Sequence, residues 1–348
     1  MHISQYNKIF AQWRQTFQIL MPDEDSQEAC LDYVSNLLRH DACVIFDFTH
    51  LCSLLGLDAS YVASITNAPE AHYREFEIPK HSGGTREITA PHYSLMRVQR
   101  WIYNNILKKQ PVHSCAHGFL HKRSIVTNVK YHLEGQYMLK LDLKDFFPSI
   151  SKGWVIQVFR NIGYERMVAL YLASICCYED ALPQGAPTSP AISNIVCRHL
   201  DTRLYNLAKR FNLHYTRYAD DLAFSGDSLS PKFIQYVSDI IEGCGFELNR
   251  EKIRLYSPKD KKILTGIQLK NGKMQLPRQK KRVYKQNLYY AMRYGIDAKM
   301  NKEMKTSDVV ATLLGQANFW RMIEPDNEFA QKASKRLNQL YLEVIGKN

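Results

Sequence analysis

The sequence predicts an α+β fold. Three observations lead there: strand-like runs alternate with helical stretches between Tyr73 and about Gly266, Gly and Pro clusters separate them, and both flanks of that region are helical in pattern. At 348 residues the chain can bury a sizeable core and hold two or three structural units.

Residues 1–72 read as an N-terminal helical extension. Within it DEDSQEACLDYVSNLL opens on acidic side chains suited to a helix N-terminus and places Cys30, Val34, Leu37 and Leu38 near helical spacing. Residues 73–141 begin with REFEIPK and TREITAP, two strand-like runs flanking His81-Ser82-Gly83-Gly84, which predicts a hairpin; a helix is expected at about 94–109. Residues 142–272 form the next unit. Across its start LKLDLKDFF, from Leu139 to Phe147, alternates like a strand; a helical stretch then runs to Cys177, and LPQGAPTSP breaks the pattern before another helix. Residues 273–348 predict a basic helical unit anchored by Leu288, Met292, Leu313, Leu314, Phe319 and Trp320. No internal repeat or low-complexity tract argues for a solenoid or a disordered tail.

Charge is the informative part of the composition. The net +12 is concentrated between Glu251 and Lys285, where twelve Lys or Arg face two acidic residues. Such a stretch suits nucleic-acid phosphate, and a solvated lysine-rich face is the plain alternative. No segment has the roughly 18 consecutive apolar residues of a membrane span, and MHISQYNKIFAQW lacks the pattern of a secretory signal, so a cytoplasmic protein with no membrane role is expected. The eight cysteines contain no C-x-x-C pair, which points to buried free thiols rather than zinc or a disulfide framework.

The sharpest chemical signal is Tyr218-Ala219-Asp220-Asp221 between the strand-like flanks LHYTR and LAFSG. A hairpin would place the paired carboxylates at its tip. Adjacent carboxylates repel, and burying them is costly unless cations compensate, so the pair suits a divalent-metal site; a solvated loop is the plain alternative. Asp142 interrupts the apolar run Leu139-Lys140-Leu141-Asp142-Leu143 and is available as a third carboxylate. If its strand lies beside the hairpin, the three can hold two Mg²⁺ ions roughly 3.5 to 4 Å apart, a spacing used for in-line phosphoryl displacement.

Taken in order, LKLDLKDFFPSI, LPQGAPTSPAISN, YADD, GFELNREKIRL and LTGIQL resemble the motifs of a reverse transcriptase. The resemblance implies a right-hand polymerase fold with fingers at 73–141, a palm carrying an antiparallel sheet at 142–272 with fingers elements interleaved, and a helical thumb at 273–348. It implies two Mg²⁺ ions, with Mn²⁺ as a substitute, held by Asp142, the Leu143 carbonyl, Asp220 and Asp221. Phe147 would be the steric gate against a ribonucleotide 2′-hydroxyl, with core packing as its alternative. Gln184 and Gly185 would line the incoming deoxynucleoside triphosphate, Lys80 and Arg86 would clamp its phosphates, and Lys252 would face the departing pyrophosphate.

Within that family the sequence is most similar to bacterial retron enzymes. Asn128-Val129-Lys130-Tyr131-His132 resembles their Asn-Ala-x-x-His pattern, and Leu264-Thr265-Gly266 resembles Val-Thr-Gly, each with one apolar substitution. The resemblance implies copying of a cognate structured noncoding RNA into a short single-stranded DNA, primed from a guanosine 2′-hydroxyl of that RNA. It further implies antiphage defence with a separately encoded effector protein. The length implies no integrase, RNase H or endonuclease region after the thumb. RNA contacts are expected from Asn128, His132, Thr265, Gly266, Lys280, Lys281, Arg282, Tyr284 and Lys285, with Tyr289 and Tyr290 beside them, and the plain alternatives are a helical core histidine for His132 and a simple turn for Thr265-Gly266. Two alternatives stand beside this reading. One is another small bacterial reverse transcriptase, of group II intron-like, diversity-generating or abortive-infection type. The other is a non-catalytic RNA-binding scaffold that controls an effector.

Overall fold

A computed structural model of the protein describes residues 3–79, 83–295 and 306–345. Lys80 falls outside them. The chain forms two compact units from non-consecutive segments: residues 1–119, 143–204 and 238–248 in the first, and 120–142, 205–237 and 249–348 in the second.

The first unit is mostly helical. Its second helix, Glu24–Arg39, is capped by the Asp23 side chain, which accepts the Ser26 amide; Val34, Leu37 and Leu38 are buried and Cys30 is half-buried, as the spacing predicts. Strands β1 (Tyr73–Pro79) and β2 (Thr85–Pro91) form the expected antiparallel hairpin, in register from Tyr73 opposite Pro91 to Pro79 opposite Thr85. The helix expected at 94–109 ends at Asn105, and a short 3-10 turn spans Leu107–Lys109. The stretch expected to run helically to Cys177 is two helices, Lys152–Ile162 and Arg166–Cys176, because Gly163 adopts φ +116° and ends the first. Phe159, Leu172, Ile175 and Cys176 lie in this unit's core.

The second unit holds two antiparallel sheets. Strands β3 (Tyr137–Asp142), β4 (His214–Tyr218), β5 (Asp221–Gly226) and β6 (Arg254–Tyr256) stand in the order β4-β5-β3-β6. Strand β3 stops at Asp142, so the alternation read through LKLDLKDFF is strand only in its first half. Asp145, at φ +45°, lies in the turn beyond. Strands β7 (Lys262–Leu264), β8 (Ile267–Lys270) and β9 (Lys273–Gln275) make the smaller sheet. The boundary expected between 272 and 273 falls inside the β8–β9 hairpin, where Lys270 faces Lys273. This sheet shares its core with the helices Arg278–Tyr294, Thr306–Ile323 and Glu328–Ile345: Leu264, Ile267 and Leu276 are buried in one cluster with Leu288, Leu313, Ala317 and Trp320. Burying aliphatic and aromatic side chains of this size contributes roughly 1.5–3 kcal/mol each before entropy is counted.

Candidate active site

The β4–β5 hairpin has a two-residue tip. Tyr218 pairs with Asp221, leaving Ala219 and Asp220 in the turn with Ala219 at φ +57°. The two carboxylates are therefore not both at the tip, as the sequence suggested: Asp221 is the first residue of β5. On the other side of β5, Asp221 stands opposite Asp142, the last residue of β3. Residues directly opposite share a face of a sheet and alternate residues repeat it. Asp142 and Lys140 of β3, Asp221, Ala223 and Ser225 of β5, and Tyr218 and Thr216 of β4 thus share one face.

This register brings the three predicted carboxylates together. Asp142 is buried, while Asp220 and Asp221 are half-buried. Burial, then the charges of Asp142 and Asp221, push the Asp220 carboxyl up to about 6. Two lysines offset part of the charge. Lys252 Nζ lies 2.7 Å from Asp142 Oδ1, and Lys140 Nζ lies 3.0 Å from Asp221 Oδ1. Lys252 was anticipated, whereas Lys140 was missed; its signal is position, two residues before Asp142 on the same strand and therefore on the same face. Arg217 was also missed. It is fully buried, and its Nη1 donates to the Ala219 carbonyl at 3.2 Å, tying down the left-handed residue of the turn.

The donor set fits hard divalent cations, since carboxylate oxygens crowded enough to raise one another's proton affinity gain from added positive charge. As the side chains stand, Asp142 and Asp221 rest on lysines, and among the described residues no three Asp, Glu, His or Cys side chains are gathered closely enough to ligate one ion.

The residues anticipated around the nucleotide belong mainly to the first unit. Arg86 is an exposed residue of β2. Gln184 accepts the Thr89 amide through its carbonyl at 3.1 Å. Gly185, at φ +149°, lies so close to β2 that an added Cβ would be 2.7 Å from the Thr89 carbonyl oxygen. Its close backbone approach is thus to β2 of its own unit. Phe146 is buried and stacks on Phe246, whereas Phe147 is half-buried, its ring 6.2 Å from that of Phe119. Phe146 is therefore the core-packing residue of the two, and Phe147 the less buried.

The RNA-contact set divides by exposure. Asn128 and His132 are both 1% exposed, so a direct RNA contact does not fit their placement: His132 is bonded through both ring nitrogens inside the unit. Thr265 and Gly266, at φ +45° and +79°, form the tight β7–β8 turn, an uncommon conformation for a β-branched residue. Lys281 also turns inward, with Nζ 2.7 Å from Glu324 Oε2 and 5.5 Å from the centre of the Trp320 ring. Lys280 lies over Phe319 at 4.7 Å, and Tyr284 packs partly against the same ring. Arg282, Lys285, Tyr289 and Tyr290 are exposed. The described cysteines are free, most of them buried.

The chain belongs to the reverse transcriptase (RNA-dependent DNA polymerase) family, whose profile matches residues 78–286. Within it the chain is similar to several curated retron reverse transcriptases. The retron Ec86 reverse transcriptase of Escherichia coli is 36% identical over 197 residues, covering 56% of this chain and 62% of that protein. Two from Myxococcus xanthus follow: retron Mx162 reverse transcriptase at 33% identity, covering 73% of this chain and 58% of the relative, and retron Mx65 reverse transcriptase at 34%, covering 76% and 64%. The matches thus span less than two thirds of the length of these relatives. No helix among the described residues is long and apolar enough to cross a membrane.

Proposed function

We propose that this protein is an RNA-directed DNA polymerase of the retron type, copying part of a structured noncoding RNA into short single-stranded DNA. The observation that supports this most is the gathering of Asp142, Asp220 and Asp221 on and beside one sheet face, within the span that matches the family. Asp142, Asp220, Asp221 and the Leu143 carbonyl, next in the chain after Asp142, would hold two Mg²⁺ ions, or Mn²⁺ in their place. Metal bound there supplies charge to activate a primer hydroxyl and to stabilise the departing pyrophosphate.

The chain's own groups have separable tasks. The carboxylates bind and orient. Lys252 and Lys140 hold Asp142 and Asp221 in place, and Lys252, more than half exposed, can turn toward pyrophosphate and lend it a proton. Phe147 excludes a 2′-hydroxyl, Gln184 and Gly185 line the nucleotide, and Arg86 together with Lys80, which lies outside the described residues, holds its phosphates. The helix Arg278–Tyr294 offers Arg282, Lys285, Tyr289 and Tyr290 to RNA, with the Thr265-Gly266 turn beside the same core. In this reading 73–141 are fingers, 142–272 palm and 273–348 thumb. Priming is from a guanosine 2′-hydroxyl, and the RNA–DNA product with the enzyme restrains a separately encoded effector in cytoplasmic antiphage defence.

The test is DNA synthesis by the purified protein with its native upstream noncoding RNA, Mg²⁺ and deoxynucleotides, against the double variant Asp220→Asn, Asp221→Asn. The expected product stays joined to RNA until a debranching enzyme is added and is absent with the variant. RNA binding without synthesis by the wild type would favour a scaffold instead.

A further inference from the structure

The His132 side chain is buried on the sheet face that carries Asp142 and Asp221. Its Nδ1 lies 2.7 Å from Ser225 Oγ on β5, and its Nε2 lies 2.7 Å from Thr216 Oγ1 on β4. Thr216 and Ser225 are not paired with each other: Thr216 faces Ala223, and Ser225 faces His214. The imidazole therefore crosses the hairpin on a diagonal. All three side chains are almost fully buried, so water cannot replace either bond without opening the fold. A neutral imidazole offers one donor and one acceptor, and each hydroxyl can be either, so both bonds are satisfied in either tautomer.

The chain around His132 is built to deliver that ring. The helix Ile125–Lys130 is closed at its start by reciprocal Ser124 and Thr127 hydrogen bonds, and the His132 amide continues it by donating to the Val129 carbonyl at 2.9 Å. Val126 and Val129 are buried in one cluster with Met138, which stands opposite Ser225, and with Ala223, which lies between Ser225 and Asp221 on the same face. Just beyond, Gly135 runs so close to β5 that an added Cβ would come within 2.7 Å of Ser225 Cβ. The helix packs on β4, the histidine bonds to both β4 and β5, and the glycine lies against β5.

We propose that His132 is a positioning residue for the polymerase reaction, a cross-strand bolt that fixes the twist of the β4–β5 hairpin and so the presentation of Asp220 and Asp221. Ser225 lies four residues along β5 from Asp221, about 13 Å at strand rise. On its other side β5 is held by its pairs with β3, and Asp221 by Lys140, so the strand with fewer restraints is the edge strand β4: its pairs with β5 and the Arg217 hydrogen bond to Ala219 hold it near the tip, while His132 holds it at the base. Loss of the bolt lets the hairpin twist while leaving the nucleotide and RNA surfaces intact. The proposal rests on the reading of this hairpin as catalytic, and its test separates the two.

The experiment compares wild type with His132→Ala, His132→Gln and the double variant Thr216→Val, Ser225→Ala. Amide hydrogen exchange over residues 214–226 is read without substrates, and single-nucleotide incorporation on a poly(rA)–oligo(dT) primer–template is read separately. Removing both bonds should speed exchange across the hairpin by about tenfold and lower kcat by about tenfold, with nucleotide KM and primer–template Kd within about twofold. His132→Gln keeps a donor and an acceptor and should recover most of both effects. The double variant should reproduce His132→Ala with the imidazole still present, which keeps the test open if the alanine variant does not fold. Unchanged hairpin exchange in both, or a loss confined to RNA affinity, overturns the bolt. A wild type that incorporates nothing removes the polymerase reading, and the exchange data still decide whether His132 holds the hairpin.

Discussion

Two lysine–carboxylate pairs in the second unit have the same length and opposite characters. Lys252 meets Asp142 at 2.7 Å, and Lys281 meets Glu324 at 2.7 Å. Around Glu324 every neighbour donates: the Leu276 amide at 3.0 Å, Asn327 Nδ2 at 3.1 Å and Lys281 itself. Burial alone would raise the Glu324 carboxyl, but those donors outweigh it and hold it below the ordinary range. Beside Asp142 the neighbours are carboxylates, and Asp220 is raised to about 6 by burial and by Asp142 and Asp221. A carboxylate surrounded by donors closes a fold, while carboxylates crowded on one another keep unfavourable charge that the two lysines relieve in part and a bound cation would relieve further.

The sharpest way to break this comparison is to neutralise one acid in each pair. Asp142→Asn should lower nucleotide incorporation by at least about a hundredfold, the scale of removing one preorganised electrostatic group from a reacting centre. Glu324→Gln should leave incorporation near wild type. A primer-extension assay in which Asp142→Asn keeps more than a tenth of the wild-type rate would remove Asp142 from the site.

Stability should respond in the reverse order. Glu324→Ala leaves the Leu276 amide without its acceptor and Lys281 without its partner, at a cost of about 1–3 kcal/mol. Urea denaturation measures this, and no change in midpoint would show that the clasp contributes nothing. The same pair has a pH signature. Because the folded-state pKa of Glu324 lies below its unfolded value, its contribution is present above the ordinary carboxylate range and is lost as pH falls through the folded value. The stability gap between wild type and Glu324→Gln should therefore narrow on acidification from neutral pH to below about 4. A gap that widens there would reverse the assignment.

Much of this was legible in the sequence because it depends on local chemistry. The strand–turn–strand pattern around Tyr218 to Asp221 placed the hairpin, and the interrupted apolar run placed Asp142 on a strand; their union follows from a register that no single segment encodes. Two of the expected RNA contacts are drawn inward for the same physical reason. His132 and Lys281 are polar residues in segments that suit RNA contact, and in each case the partner that draws the side chain inward is distant in sequence: Thr216 and Ser225 for the first, Glu324 for the second. Periodicity reports which face a residue occupies within its own element. It does not report what arrives against that face.

The smallest expected effect sharpens the division within the basic helix Arg278–Tyr294. Lys281 is committed to Glu324, whereas Arg282 and Lys285 are exposed, so only the latter two are placed to neutralise phosphate. Each phosphate left without its cation should reduce the slope of log Kobs against log salt by about 0.7 on single-stranded RNA. Arg282→Ala and Lys285→Ala should each flatten the slope by about that amount with unaltered urea midpoints. Lys281→Met should shift the midpoint and leave the slope in place, because a charge that never leaves its carboxylate releases no counterion from RNA. A Lys281→Met slope that falls as far as that of Arg282→Ala would mean that Lys281 exchanges Glu324 for phosphate when RNA binds, and the distinction between clasp and RNA-binding cation would then hold only in the RNA-free protein.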